Sequence, residues 1–447
     1  MVEKKNALFS NRDLKRLIVP IIVEQFLAIL VGLSDSIMVA TVGEYAVSGV
    51  SLVDSIFILL INLFSALATG GAVVAGQYLG QENREKACKA ADQLVLLVGI
   101  SSLVITAGIY LSRDFILHHI FGKIDADVME SAKIYLMIVT ASIPFIALYN
   151  AGAGIFRAMG NSKLPMYLSV LMNAVNVGGN VILIFGFHMG VMGAAIPTLV
   201  SRMLAAVGIL FLLRGQEHIL HLSKPFSFGF DKLMQKKIAF IGIPTGLENS
   251  MFQLGKIVVL SVITGFGTAS IAANAVGNIV ATFQILPGMA AGMALITVCS
   301  RCVGAGDYDM ARYYTRKFLK LIHILIFIFS LIILLLLPFI LRLYRLSPEA
   351  TRLATEIIWL HAICATLLWP ESFSLPHALR AANDVKFCMV WSVFSMWSFR
   401  FAFSYVLGVY FEMGLFGVWV AMIIDWCVRA AFFIVRYRGT KWQKHRI

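Results

Sequence analysis

Hydrophobic and polar positions follow one rhythm along the chain: long apolar runs broken by short polar or charged clusters. A run of about 20 residues is the length of helix that crosses the hydrocarbon core of a bilayer. Cut at Pro, Gly and charge clusters, the chain is predicted to form twelve such spans, near 17–42, 51–79, 92–112, 131–156, 165–187, 190–213, 238–265, 272–300, 318–341, 353–379, 387–410 and 414–436. Prolines inside them, such as Pro20, Pro197, Pro244 and Pro370, do not argue against helix. In a bilayer bundle neighbouring helices re-satisfy the backbone groups that proline frees. The expected class is an all-α integral membrane protein. The stretch before the first span is polar and basic, and that span is too long for the core of a cleavable signal.

A second pattern lies over the first. Shifted by 224 residues, the chain aligns with itself: Pro20 falls on Pro244, Glu24 on Glu248, and Gly80-Gln81-Glu82-Asn83 on Gly304-Ala305-Gly306-Asp307. Near the ends of spans 4 and 10 the offset is 223, pairing Arg157 with Arg380 and Lys163 with Lys386. Each half therefore has six spans. An even number keeps the same membrane orientation in both, so the repeat is parallel, with its pseudo-twofold along the membrane normal. The expected organisation is an N-lobe over 1–213, a polar cytoplasmic linker over 214–237 and a C-lobe over 238–447. Two duplicated lobes suit alternating access around a central cavity better than they suit a fixed pore or an intramembrane enzyme.

Composition agrees: 59% of residues are hydrophobic and 14% charged, where a soluble domain carries about 25% charged. The net charge of +13 does not point to nucleic acid, because the basic residues sit in short loops between apolar runs. Of 37 Lys and Arg, 27 fall on the side of the termini, six on the opposite side and four inside spans. That bias predicts cytoplasmic termini in a plasma (inner) membrane protein. The six cysteines include one C-x-x-C, Cys299 and Cys302, without a second pair or a histidine cluster, so they do not point to a metal or redox site.

Asp35 stands out, inside the apolar run from Leu17 to Val42. A carboxylate at the centre of a membrane helix costs about 2.5–3.5 kcal/mol and faces a cavity or partner, where it commonly marks an ion path. Burial disfavours the charged form of a carboxylate and a bound cation restores it, so such a group can trade a proton for a cation. Its repeat equivalent is Val259, so the work falls to one lobe. In span 5, Asn173, Asn176 and Asn180 share a helix face, and Thr198 follows Pro197 in span 6. Carboxylate, amide and hydroxyl oxygens are hard ligands, suited to a small cation or a protonated acid.

The chain also resembles the multidrug and toxic compound extrusion (MATE) family over essentially its whole length. The markers are "LKRLIVPIIVEQF", "LSDSIMVATVGEYAVSGVS", "AGQYLGQENREKA", "FRAMGNSK" and "NVGGNVILIFGFHMGVMGAAIPT", echoed by "GFGTASIAANAVGN", "SRCVGAGDYDMAR" and "GLFGVWVAM". The resemblance implies a twelve-helix, two-lobed exporter of organic, often cationic, compounds driven by inward flow of H+ or Na+. It implies that Asp35, Asn176, Asn180 and Thr198 form the N-lobe ion-coupling site, with Asp35 and Asn180 as ligands if the ion is Na+. Many members place an Asp in span 5 where Asn180 stands, which leaves the set one formal negative charge.

Glu371, Glu248 and Glu24 are second candidates. Glu24 and Glu248 each follow a proline by one turn, while some members carry a span 7 acid where this chain has Phe252. Asp425 and Arg429 are spaced to pair with each other, His323 and His361 read as packing residues, and Asp54 as a helix cap. The expected function is a monomeric secondary antiporter that exports lipophilic, cationic organic compounds in exchange for H+ or Na+ by alternating access, with no cofactor. The alternative is a lipid or lipid-linked oligosaccharide flippase of the same superfamily, whose members tend to carry extra spans or a strongly basic cavity. An enzyme is disfavoured by the lack of G-x-S-x-G or H-E-x-x-H.

Overall fold

The computed structural model describes residues 8–122, 124–226 and 228–444; Lys4, Lys5, Lys123 and Arg446, counted above among the loop charges, lie outside the described residues. The first six-helix set is α1 (Asn11–Ala40), α2 (Glu44–Gly80), α3 (Arg84–Leu111), α4 (Ala126–Thr140 and Ile143–Ala158, bent by 47°), α5 (Lys163–Gly186) and α6 (Met192–Leu213). The second is α7 (Lys232–Thr264), α8 (Thr268–Gly304), α9 (Tyr308–Leu343), α10 (Pro348–Ala381), α11 (385–410) and α12 (Gly414–Arg438). Among the described residues there is no strand. Among the described residues, by length and apolarity alone, nine helices could cross a membrane, or ten if the bent α4 counts as one. The two outside that set are α7, whose middle carries Glu248, Asn249, Gln253 and Lys256, and α11, whose turns widen to π geometry over Met396–Phe401 and Val406–Tyr410.

Most helices begin several residues before their predicted spans, because polar caps extend them beyond the apolar window. The Asn83 side chain accepts from the Lys86 N–H at 3.0 Å, and its repeat equivalent Asp307 accepts from the Met310 N–H at 2.8 Å. The residue before each cap is left-handed in both halves, Glu82 at φ 58° and Gly306 at φ 75°. The repeat is thus reproduced down to the turn geometry. Outward faces are apolar, as for Leu335 and Phe339 of α9, which lipid rather than water would cover.

Two compact units emerge, one spanning Asn11–Gly246, the other running on from Leu247 and including the described residues before Asn11. The boundary falls inside α7 because its first half crosses α2 backbone to backbone. A Cβ at Gly70 would lie 2.6 Å from the Ile238 carbonyl oxygen, and one at Gly242 would lie 2.8 Å from the Leu67 Cα. Small residues allow this close packing between membrane helices. The segment after α6 is tied to α3 of the same unit: Gln93 Nε2 donates to the Gly229 carbonyl at 2.6 Å, Ser223 bonds Asp92, and Lys89 pairs with Asp231 at 2.6 Å. That contact with Lys89 holds the Asp231 carboxyl below its ordinary range.

Gly70→Ala therefore forces two backbones apart and should cost about 1–3 kcal/mol, the range for overpacking. A thermal melt of the detergent-solubilised protein checks it. Gly108→Ala, with nothing within 4 Å of the new Cβ, serves as control and should not lower the melting temperature.

Candidate functional site

Within the first unit, α1, α2, α4, α5 and α6 converge on a cavity of about 120 Å³, lined among others by Asp35, Asp54, Tyr135, Asn180 and Thr198. α5 and α6 meet closely enough that a Cβ at Gly179 would lie 2.7 Å from Pro197 Cβ, which carries Asn180 against the turn bearing Thr198.

The Asp35 carboxylate is the hub. Asn180 Nδ2 donates to Asp35 Oδ1 at 2.7 Å. With the Asn176 amide turned so that donor meets acceptor on both sides, its nitrogen donates to Asp35 Oδ1 at 2.9 Å and Oδ2 at 3.2 Å, and its oxygen accepts from Thr198 Oγ1 at 3.1 Å. In the other direction Thr198 Oγ1 can donate to the Ala194 carbonyl at 2.9 Å, across the turn that Pro197 leaves short of a backbone donor. Asn180 Oδ1 is buried with no hydrogen-bond partner among the described residues. The four residues singled out at the N-lobe are thus brought together around one carboxylate. Asn173 stays apart from this set, only half-buried.

Three more groups complete the electrostatics. Asp54 acts on Asp35 as a second negative charge, and Tyr135 hydrogen-bonds Asp54. The Arg202 guanidinium exerts its charge on both carboxylates while its Nη1 donates to Ser142 Oγ at 2.9 Å, at the bend of α4. Two carboxylates against one guanidinium leave one negative charge in excess. Asp54 is therefore not a helix cap: α2 starts at Glu44, which puts Asp54 well inside the helix. The signal that could have found these groups is the rarity of charge in a membrane run, and the Thr198–Arg202 spacing that places both on one face of α6.

The second candidates separate into two kinds. Glu24 accepts from Arg157 Nη2 at 2.6 and 2.8 Å, and Glu248 accepts from Arg380 Nη2 at 2.8 Å on both oxygens. These are the same pair in the two halves. Arg157 and Arg380, counted with the loop charges, are in fact the buried partners of the two glutamates. Glu248 also draws Arg429 to 3.5 Å. The expected Asp425–Arg429 pair is not made: Asp425 accepts from Ser395 Oγ, while Arg429 turns to Glu248 and to Ser392 Oγ at 3.0 Å. Helix spacing allowed the pair; the neighbouring helices offered each group a better partner. Glu371 sits where α10 widens at Pro370–Ser374, and His323 is not a mere packing residue but its partner, with Nε2 2.9 Å from Glu371 Oε1. His361 does pack, edge-on to Trp419 and Trp426, with Nδ1 against Gln284 Oε1.

A duplicated six-helix membrane bundle with a carboxylate–amide cluster inside one unit is the architecture of a membrane transporter. The MatE family model matches residues 20–182 and again 244–406, the offset at which the chain aligns with itself. The uncharacterized transporter YisQ of Bacillus subtilis is 27% identical, with 98% of each chain covered. The probable multidrug resistance protein NorM of Thermotoga maritima is 26% identical, covering 98% of this chain and 94% of its own. A crystal structure of MATE in complex with MaL6 superposes with a TM-score of 0.90 at 21% identity over 96% of this chain and 95% of that one, a likeness of fold. The chain belongs to the MATE family, and is a transporter rather than an enzyme.

Proposed function

We propose that the protein exports amphipathic organic compounds across the plasma membrane in exchange for H+ or Na+, with Asp35 carrying the ion. The observation that supports this best is the Asp35 cluster: one carboxylate held by the amides of Asn176 and Asn180, in a small cavity with one uncompensated negative charge. A single monovalent cation, proton or sodium, neutralises that excess, and hard oxygen groups serve either ion. The carboxylate, the Asn180 oxygen and the Thr198 hydroxyl are the groups that would bind Na+. Relatives described as probable multidrug resistance proteins support export as the direction and organic compounds as the cargo. The lobes over 1–213 and 238–447 act as a monomer, joined by 214–237, with the termini cytoplasmic, as the 27 to 6 split of basic residues supports.

The test is purified protein in proteoliposomes loaded with a fluorescent xanthene dye, with a proton gradient or a sodium gradient imposed separately. One of the two gradients should drive dye out against its own concentration difference. Failure of both gradients, for anionic and cationic dyes alike, overturns ion-coupled export.

A further inference from the structure

The second unit holds a separate cavity of about 390 Å³, which the coupling site does not use. Its wall is aromatic: Trp369 stacks on Phe373 at 5.3 Å and Trp426 meets Phe373 edge-on at 5.8 Å. Four cationic side chains line it, Lys256, Arg380, Arg400 and Arg429, against one carboxylate, Glu248. Arg380 already satisfies Glu248 through both oxygens, with Arg429 alongside. A further acid, the fully buried Asp425, exerts its charge on Arg400. Four cations against two carboxylates leave two positive charges in excess.

These charges crowd around one ring. Lys256 Nζ lies 5.1 Å from the Phe252 centroid, the Arg400 guanidinium 5.5 Å and that of Arg429 5.8 Å. Lys256 has no carboxylate within 4 Å among the described residues, and Arg400 Nε is buried without a hydrogen-bond partner. The face of a phenyl ring offsets only a small part of the cost of holding a cation away from water, and three like charges on one ring repel. Phe252 itself stands where some members of the family carry an acid. An organic cation entering this cavity would meet like charge, whereas an anion would supply the missing counter-charge.

We propose that this cavity is the cargo site, and that its cargo is an organic anion: a flat aromatic body bearing a carboxylate, sulfonate or phosphate. The volume lies in the range of small-molecule sites, the Trp and Phe rings take the body, and Lys256 and Arg400 take the anionic group. Aromatic stacking and charge-assisted hydrogen bonds then act on opposite ends of one molecule. The assignment deepens the export function proposed above and rests on it for the direction of transport. Binding itself needs no ion gradient, so the two fail separately.

The experiment is fluorescence anisotropy at neutral pH with the full-length protein in detergent, using fluorescein, a xanthene anion, and rhodamine 123, a xanthene cation of similar outline. Fluorescein should bind at least about tenfold more tightly than rhodamine 123. Lys256→Gln should weaken fluorescein about tenfold without weakening rhodamine 123, and Lys256→Arg should restore most of the loss. Lys256 is exposed to the cavity, so neither change removes a packing contact that folding needs. Tighter binding of rhodamine 123 by the wild type, or unchanged fluorescein binding by Lys256→Gln, overturns the proposal. An aromatic sulfonate should displace fluorescein. Displacement by phosphatidylglycerol in mixed micelles, with no displacement by the free sulfonate, assigns the cavity to lipid headgroups and overturns the soluble cargo.

Discussion

Asp35→Asn is expected to abolish uphill efflux and to leave downhill exchange of dye in place. A gradient can bias a transport cycle only through an ion that binds one state more tightly than the other. The amide carries no charge to be neutralised by H+ or Na+, so the ion loses its hold, and the dye accumulation ratio should fall to about one whichever gradient is applied. The fold should survive. Asn176 and Asn180 both present amide hydrogens to this position, and an Asn at 35 can keep its oxygen towards one of them. At most one donor then faces a donor, a cost of about 1–3 kcal/mol. The readout is dye accumulation in proteoliposomes beside a melting curve. A variant that still accumulates dye moves the coupling to another acid, with Glu371 and its partner His323 next in line.

The largest stability loss should come from the duplicated ion pairs. Arg157→Ala strips Glu24 of its bonds at 2.6 and 2.8 Å, and Arg380→Ala strips Glu248 of both bonds at 2.8 Å. Arg157→Ala leaves the buried Glu24 charge without an ion-pair partner, at about 3–5 kcal/mol, whereas after Arg380→Ala Glu248 keeps Arg429 at 3.5 Å and the loss should be smaller. The two glutamates should differ. Glu24→Ala orphans one guanidinium, whereas Glu248→Ala orphans Arg380 and leaves Arg429 without its carboxylate neighbour at 3.5 Å. Glu248→Ala should therefore melt lower than Glu24→Ala. Replacing both members of a pair by apolar residues, as in Glu24→Leu with Arg157→Met, should recover most of the loss, because desolvation of both ions disappears with them. Melting temperatures in detergent settle the order, and equal losses for the two glutamates would contradict the role given to Arg429.

The fold was legible because membrane helices write their length and spacing into hydropathy, and because the chain repeats. Helices stand where the twelve runs were cut, although α7 and α11 fall short of a membrane span on length and apolarity alone, and the Asn83 and Asp307 caps that extend α3 and α9 sit at repeat-equivalent positions. Asp35 was legible for the same reason: a carboxylate has few excuses in an apolar run. Its partners Asn176, Asn180 and Thr198 share helix faces, yet only their family resemblance joined one helix to the next. Contacts between helices were the part that sequence spacing could not supply. Glu24 and Arg157 are 133 residues apart, as are the atoms of no local motif. Their pairing was nonetheless implicit in the repeat, which aligned Glu24 with Glu248 and Arg157 with Arg380. Asp425 and Arg429 show the opposite failure, a local spacing overruled by Ser395 and Glu248 on neighbouring helices.

The account turns on whether Asp35 moves an ion in step with cargo, and the direct measurement is of the ion itself. Proteoliposomes should enclose a pH-sensitive dye in one preparation and a sodium-sensitive dye in another, with cation entry recorded as cargo leaves. Wild-type protein should show one of the two ions entering only while cargo exits, and Asp35→Asn should show cargo exchange with neither ion moving. Cation entry that stays locked to cargo exit in Asp35→Asn would contradict the assignment of coupling to Asp35.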